Sequence, residues 1–189
     1  PENEVAVRTG VIYTRQGKAA LSLPAGDYEI RAGRGFEWGL AEAKVRVSAG
    51  SSQDLALSLV REVDTSGSIA VDSHIHTLTH SGHGDATLRE RVLTIAGEGI
   101  ELAIATEHNH HADYAPAVAA AGLQGEIATA IGNEVTTKQG HFNAFPIAPG
   151  APVVDHLETD WAKLLPAIRA TPGVRVVTLN HPRDLHSGF

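Results

Sequence analysis

Ile69-Ala70-Val71-Asp72-Ser73-His74-Ile75-His76 decides how this chain reads: an apolar run that ends in a His-X-His pair. Residues i and i+2 of a strand point to the same side, so His74 and His76 can grip one ion together. Working outward from this stretch, the arrangement recurs. The run Leu102 to Ala105 meets Thr106-Glu107-His108-Asn109-His110-His111. The run Ile127 to Ile131 meets Gly132-Asn133-Glu134, and Val174 to Leu179 meets Asn180-His181-Pro182-Arg183. Four apolar runs thus deliver His or Glu at one edge. In α/β folds the chemistry collects where strands run into loops.

Helical signals lie between these runs. Thr87-Leu88-Arg89-Glu90 has the spacing of a capping box, and Leu88, Val92, Ile95 and Ala96 follow on one helical face. Ala115 to Ala121 predicts a short helix. Trp161, Leu164, Leu165 and Ile168 predict another, with Pro166 expected to kink it. Strand–helix alternation predicts an α/β domain with a parallel sheet or barrel over 63–189. The chain before it differs. All 11 histidines fall at or after position 74. Tyr28, Ile30 and Ala32, then Val45 and Val47, then Leu55, Leu57 and Leu59 alternate with polar or small residues. That period of two, broken by turn signals such as Pro24-Ala25-Gly26-Asp27, predicts a small accessory β-sandwich over 1–62.

Composition narrows the function. The 189 residues carry 15 Lys and Arg against 22 Asp and Glu, a net charge of −7, which argues against nucleic acid as a partner. No apolar run reaches the roughly 18 residues of a membrane span. There is no Cys, which excludes thiolate zinc sites and Cys nucleophiles. Imidazole and carboxylate together suit Zn²⁺, Mn²⁺ or Fe²⁺. A carboxylate such as Glu134 can bridge two ions about 3.5–4 Å apart, the separation used in two-metal hydrolysis. The ordinary readings stand beside this. A lone His-X-His pair is a weak signal. His110, His111, His156 and His186 read as loop or surface histidines, His80 stays open, and Asp85 reads as a helix-start residue. Asp72 and Glu107 read either as caps or as supports for an imidazole N–H. Arg183 reads either as a surface ion-pair residue or as a fork for substrate phosphate or carboxylate. For His74, His76, His108, Glu134 and His181 together, the ordinary reading needs a coincidence at four strand ends.

The order Asp72-Ser73-His74-Ile75-His76-Thr77, Ala105-Thr106-Glu107-His108-Asn109, Gly132-Asn133-Glu134, Gly140-His141-Phe142-Asn143 and Asn180-His181-Pro182-Arg183 resembles the PHP (polymerase and histidinol phosphatase) superfamily. Nearer the N-terminus, Leu23-Pro24-Ala25-Gly26-Asp27-Tyr28 and Arg34-Gly35-Phe36-Glu37 are similar to the β domain of its carbaryl-hydrolase-like branch. The resemblance implies the first half of a distorted (β/α)7 barrel with two to three divalent ions. His74 and His76 would hold the first ion, with Glu134 bridging to the second. His141 and His181 would complete the second. His108 would bind the third with a His from the loop after the first strand, His83 being favoured and His80 the fallback.

The family's last Asp-X-His metal motif is absent, so the resemblance asks for a C-terminal segment or a second chain to complete the barrel. Function is expected to be metal-dependent hydrolysis of a small phosphoester by metal-bound hydroxide. The branch resemblance opens carbamate or carboxylic ester hydrolysis. A non-catalytic metal-binding or cell-surface adhesion module is the alternative from another class. The branch resemblance and the start at Pro1 suggest a periplasmic or secreted protein, otherwise a cytoplasmic one.

Overall fold

The computed structural model describes residues 5–185; His186 lies outside them. Two four-residue strands, β1 (Val5–Arg8) and β2 (Val11–Thr14), form an antiparallel hairpin. A second hairpin joins β3 (Gly26–Ala32) to β4 (Ala41–Val47). The two hairpins are separate two-stranded sheets, and the expected strand over Leu55 to Leu59 does not form. The β-sandwich expected over 1–62 is therefore not what the described residues build. The physical reason is a shortage of burial. Ala6 is the only fully buried residue between 5 and 70, and a sandwich needs two apolar faces packed on each other.

The first hairpin also crosses the expected boundary between 62 and 63. It packs on α2 (Leu88–Gly97): Ala6 sits in one core with Val92, Ile95 and Ala96, and Tyr13 leans against it. A Cβ at Gly97 would come within 2.7 Å of the Tyr13 ring, so only glycine allows this approach. Arg8 pairs with Asp85 at 3.0 Å and Glu90 at 3.3 Å, and the Tyr13 hydroxyl donates to Glu98. The capping box at Thr87 and Glu90 is present in full.

Next come β5 (Val71–Ile75), α1 (Leu78–Ser81), α2, β6 (Leu102–Ala105), α3 (Ala115–Ala120) and β7 (Ala128–Ile131). β5, β6 and β7 form a parallel sheet in that order. The core that holds Ala6 lies between this sheet, α2 and α3, and includes Ile75, Leu93, Ala103, Ala105 and Leu123.

The chain then departs from simple strand–helix alternation. At Gly132 it passes from β7 directly into a hairpin of β8 (Asn133–Thr137) and β9 (Gly140–Phe145). A Cβ at Gly132 would meet the Ile104 side chain at 3.0 Å and the Ala105 carbonyl at 3.1 Å, so glycine fits this crowded crossing. The final strand, β10 (Val176–Leu179), pairs antiparallel with β9. The fourth strand expected in a parallel sheet thus closes an antiparallel one. Lys138 and Gln139 turn the chain straight back into β9, with Gly140 at φ 118°, so β10, which follows the helix Trp161–Ala170 and runs in the direction of β8, meets β9 antiparallel. Among the described residues the strands form four separate sheets and close no barrel.

A second core joins Val135, Phe142 and Ala144 to Leu164 and Ile168 of α4 (Trp161–Ala170). α4 runs through Pro166 without interruption, started by the Asp160 carboxylate, which accepts from the Ala162 N–H. No helix is long and apolar enough to cross a membrane among the described residues.

Leu93 is 2 % exposed at the centre of the first core. Leu93→Ala is expected to cost about 2–5 kcal/mol in urea denaturation, as large-to-small core changes do. A loss below about 1 kcal/mol would show that α2 is not seated on the parallel sheet in this way.

Candidate metal centre

Glu134 organises the site. It lies on β8, and its side chain is fully buried. Around it stand five imidazoles. Oε1 lies 3.3 Å from His74 Nε2, 3.2 Å from His141 Nδ1 and 3.3 Å from His181 Nε2. Oε2 lies 3.1 Å from His76 Nε2 and 2.8 Å from His108 Nδ1.

Each side chain arrives there for a local reason. His74 and His76 project from the end of β5 with the spacing of two, and their Nε2 atoms are 3.0 Å apart. His108 follows β6 and pairs its backbone with Glu134, whose N–H donates to the Glu107 carbonyl. Asn109 next to it sits at φ 50°, a conformation asparagine tolerates. Its side chain holds β8 by accepting from the Thr136 N–H at 2.9 Å and donating to the Thr136 carbonyl at 3.2 Å. His141 reaches in from β9. His181 follows β10 at φ 26°. It and Asn109 are the only non-glycine residues at positive φ among those described, and strain of this kind gathers at functional sites. His83 comes from the loop after α1 and places Nε2 2.6 Å from His108 Nε2.

The electrostatics follow from this crowding. Burial pushes the Glu134 carboxyl up, but contacts with His108, His74, His76 and Asn180 outweigh it and hold the group far below the usual carboxylate range. His74 is raised, chiefly by Glu134. His83 and His141 are lowered, chiefly by burial, toward the neutral imidazole that a metal needs.

Two features test whether these residues fit an ion. Glu134 Oε2 is buried without a hydrogen bond of good geometry. The close Nε2–Nε2 approaches turn ring nitrogens toward each other, an arrangement that a shared cation satisfies. Three groups have ligand atoms all within 4.8 Å of one another: His76, His83 and His108; His74, His76 and Glu134; Glu134, His141 and His181. Glu134 and His76 are each shared by two of them. The residues fit.

All seven residues expected as metal ligands therefore come together, and His83 rather than His80 is the one beside His108. His80 instead stacks on His110, 5.0 Å between centroids. Three other expected site residues lie outside the cluster. Asp72 accepts from the His74 backbone N–H and caps the strand end. Glu107 is fully buried and bonds Thr77, Ser81 and Tyr114, not an imidazole. Arg183 is exposed on the loop after β10. His111 lies in a loop, as one of its two readings has it, half-buried with an unpaired Nε2.

Residues that sequence reasoning does not single out complete the site. Asn180 Nδ2 donates to Glu134 Oε1 at 2.8 Å and to Asn143 Oδ1 at 2.7 Å, while Asn143 donates to the Ser73 carbonyl. Thr136 Oγ1 lies 2.6 Å from His108 Nδ1. Asn180 adjoins His181 and Asn143 follows His141 by two residues in the sequence motifs, but spacing alone gives no role to either. No family model, curated protein or solved structure matches the chain.

Glu134→Gln removes the charge shared by two of the three groups. Zinc uptake measured by calorimetry and elemental analysis is expected to fall to roughly one equivalent or less, held by His76, His83 and His108. Unchanged uptake would contradict the shared role of Glu134.

Proposed function

We propose that the chain is a metal-dependent hydrolase acting on small phosphoesters, with two to three Zn, Mn or Fe ions held by His74, His76, His83, His108, Glu134, His141 and His181. The observation that carries this reading is the overlap of three ligand groups through Glu134 and His76. When bound, ions so placed supply an attacking hydroxide near neutral pH and stabilise charge on the entering and leaving oxygens.

The chain's own residues do the rest. Glu134 is the single carboxylate among six imidazoles, so the loaded site is strongly positive and favours an anionic substrate. His74 and His83 are exposed, and the His181 side chain is 31 % exposed, so a substrate can reach the site past these three. Arg183, exposed two residues beyond His181, offers a fork of donors to a phosphate there. Asn180 and Asn143 keep the Glu134 carboxylate turned toward the histidines. Ester and carbamate hydrolysis use the same site with a neutral carbonyl in place of phosphorus.

Aryl phosphates, aryl esters and aryl carbamates, each assayed with and without chelator, test the proposal. Phosphate ester turnover is expected to vanish with chelator, return with added metal, and fall at least about 100-fold in His108→Ala. Faster ester or carbamate turnover would reassign the substrate. Metal uptake without turnover on any of the three would leave a binding module and reject the enzyme.

A further inference from the structure

Ser81 ends the short helix α1 and belongs to none of the ligand groups. Its hydroxyl nevertheless meets three partners. Oγ lies 2.5 Å from Glu107 Oε2, 3.2 Å from the backbone nitrogen of His108 and 3.2 Å from His76 Nδ1. A hydroxyl has one proton to give and two lone pairs. We propose that Ser81, held by Glu107, is a positioning residue that fixes His76 with its proton on Nδ1 and its lone pair on Nε2, facing the metal centre. This rests on the metal reading above and extends it to a residue outside the ligand set.

Donor and acceptor counting carries the inference. Glu107 is fully buried and surrounded by donors: the Thr77 backbone N–H to Oε2 at 3.1 Å, the Thr77 hydroxyl to Oε1 at 2.6 Å, and the Tyr114 hydroxyl to Oε1. The Thr77 hydroxyl also accepts from the His80 N–H, so its own proton is directed to Glu107. A carboxylate ringed by donors accepts from Ser81 as well, which commits the one Ser81 proton. The His108 backbone N–H takes one lone pair of Ser81. The remaining lone pair faces His76 Nδ1, so that nitrogen must be the donor. A neutral imidazole protonated on Nδ1 carries its free pair on Nε2. That is the atom 3.0 Å from His74 Nε2 and 3.1 Å from Glu134 Oε2. The same hydroxyl thus sets the ring of His76 and the backbone of His108, two members of one ligand group. Partners of this kind typically change metal affinity 10–100-fold, about the size expected here.

The test is a nitrogen–proton correlation spectrum of protein labelled with ¹⁵N-histidine, first metal-free and then zinc-loaded, with His76 assigned by the signal lost in His76→Asn. His76 is expected to show its proton on Nδ1 in both states. In Ser81→Ala that preference should disappear and zinc should bind about 10–100-fold more weakly, while Ser81→Thr, which keeps the hydroxyl, should recover both. An Nδ1 without a proton in the metal-free wild type overturns the proposal, whether or not the variants fold. So does Ser81→Ala with wild-type zinc affinity. Failure of the wild type to take up zinc would instead defeat the metal reading, with the metal-free spectrum still deciding the Ser81 arrangement.

Discussion

The site depends on one buried carboxylate. Glu134 has no exposed surface, and an ion placed there must be compensated by its neighbours. Five histidines carried by four strands and the loops beside them converge on its two oxygens, and Asn180 adds a hydrogen bond. The protein has set a single negative charge among five rings, of which His74 is raised chiefly by that charge and His141 is lowered chiefly by burial. Cations placed among them would satisfy the carboxylate and the facing ring nitrogens together, so one account would cover the buried charge, the Oε2 that lacks a well-aligned hydrogen bond and the close Nε2 contacts.

The fold serves this convergence. The parallel sheet brings β5 and β6 side by side, so the loops after them meet. The passage through Gly132 lets β8 continue past the parallel sheet, where its backbone pairs with His108 and its side chain enters the cluster. The β8–β9 hairpin adds His141, and the residues after β10 add Asn180 and His181. Two cores support the two three-stranded sheets: α2 and α3 behind the parallel one, α4 behind the antiparallel one. Beside the cluster, buried Thr77, Glu107 and Tyr114 with half-buried Ser81 tie the loop after β5 to the loop after β6. Polar networks of this sort are costly unless every member is satisfied, and here each Glu107 oxygen has two donors.

Most of the clustered residues are legible in the sequence because a strand end is a local pattern: an apolar run followed by His or Glu needs no knowledge of the partner strand. His74 and His76 follow from the two-residue period alone. His141 and the choice of His83 rest on resemblance, because a residue in a hairpin or loop has no such local signature. The β8–β9 hairpin is hidden in the sequence, since Asn133 and Glu134 are poor strand formers that tertiary pairing overrides. The sandwich fails at the other end. Alternation at Tyr28, Ile30 and Ala32 correctly gives a strand, but alternation does not say whether a second sheet covers it. Ser81, Thr136 and Tyr114 are invisible for a different reason. Ser81 meets Glu107 across 26 positions and Thr136 meets His108 across 28, while Tyr114 acts through a single buried oxygen, and no spacing rule reaches such contacts.

Metal content of the purified, unsupplemented protein, measured by inductively coupled plasma mass spectrometry, tests the central claim most directly. The overlapping ligand groups around Glu134 predict about two to three equivalents of Zn, Mn or Fe per chain. Less than about half an equivalent, unchanged after incubation with each ion and removal of the excess, would contradict it. The buried carboxylate would then be balanced by protonated histidines alone.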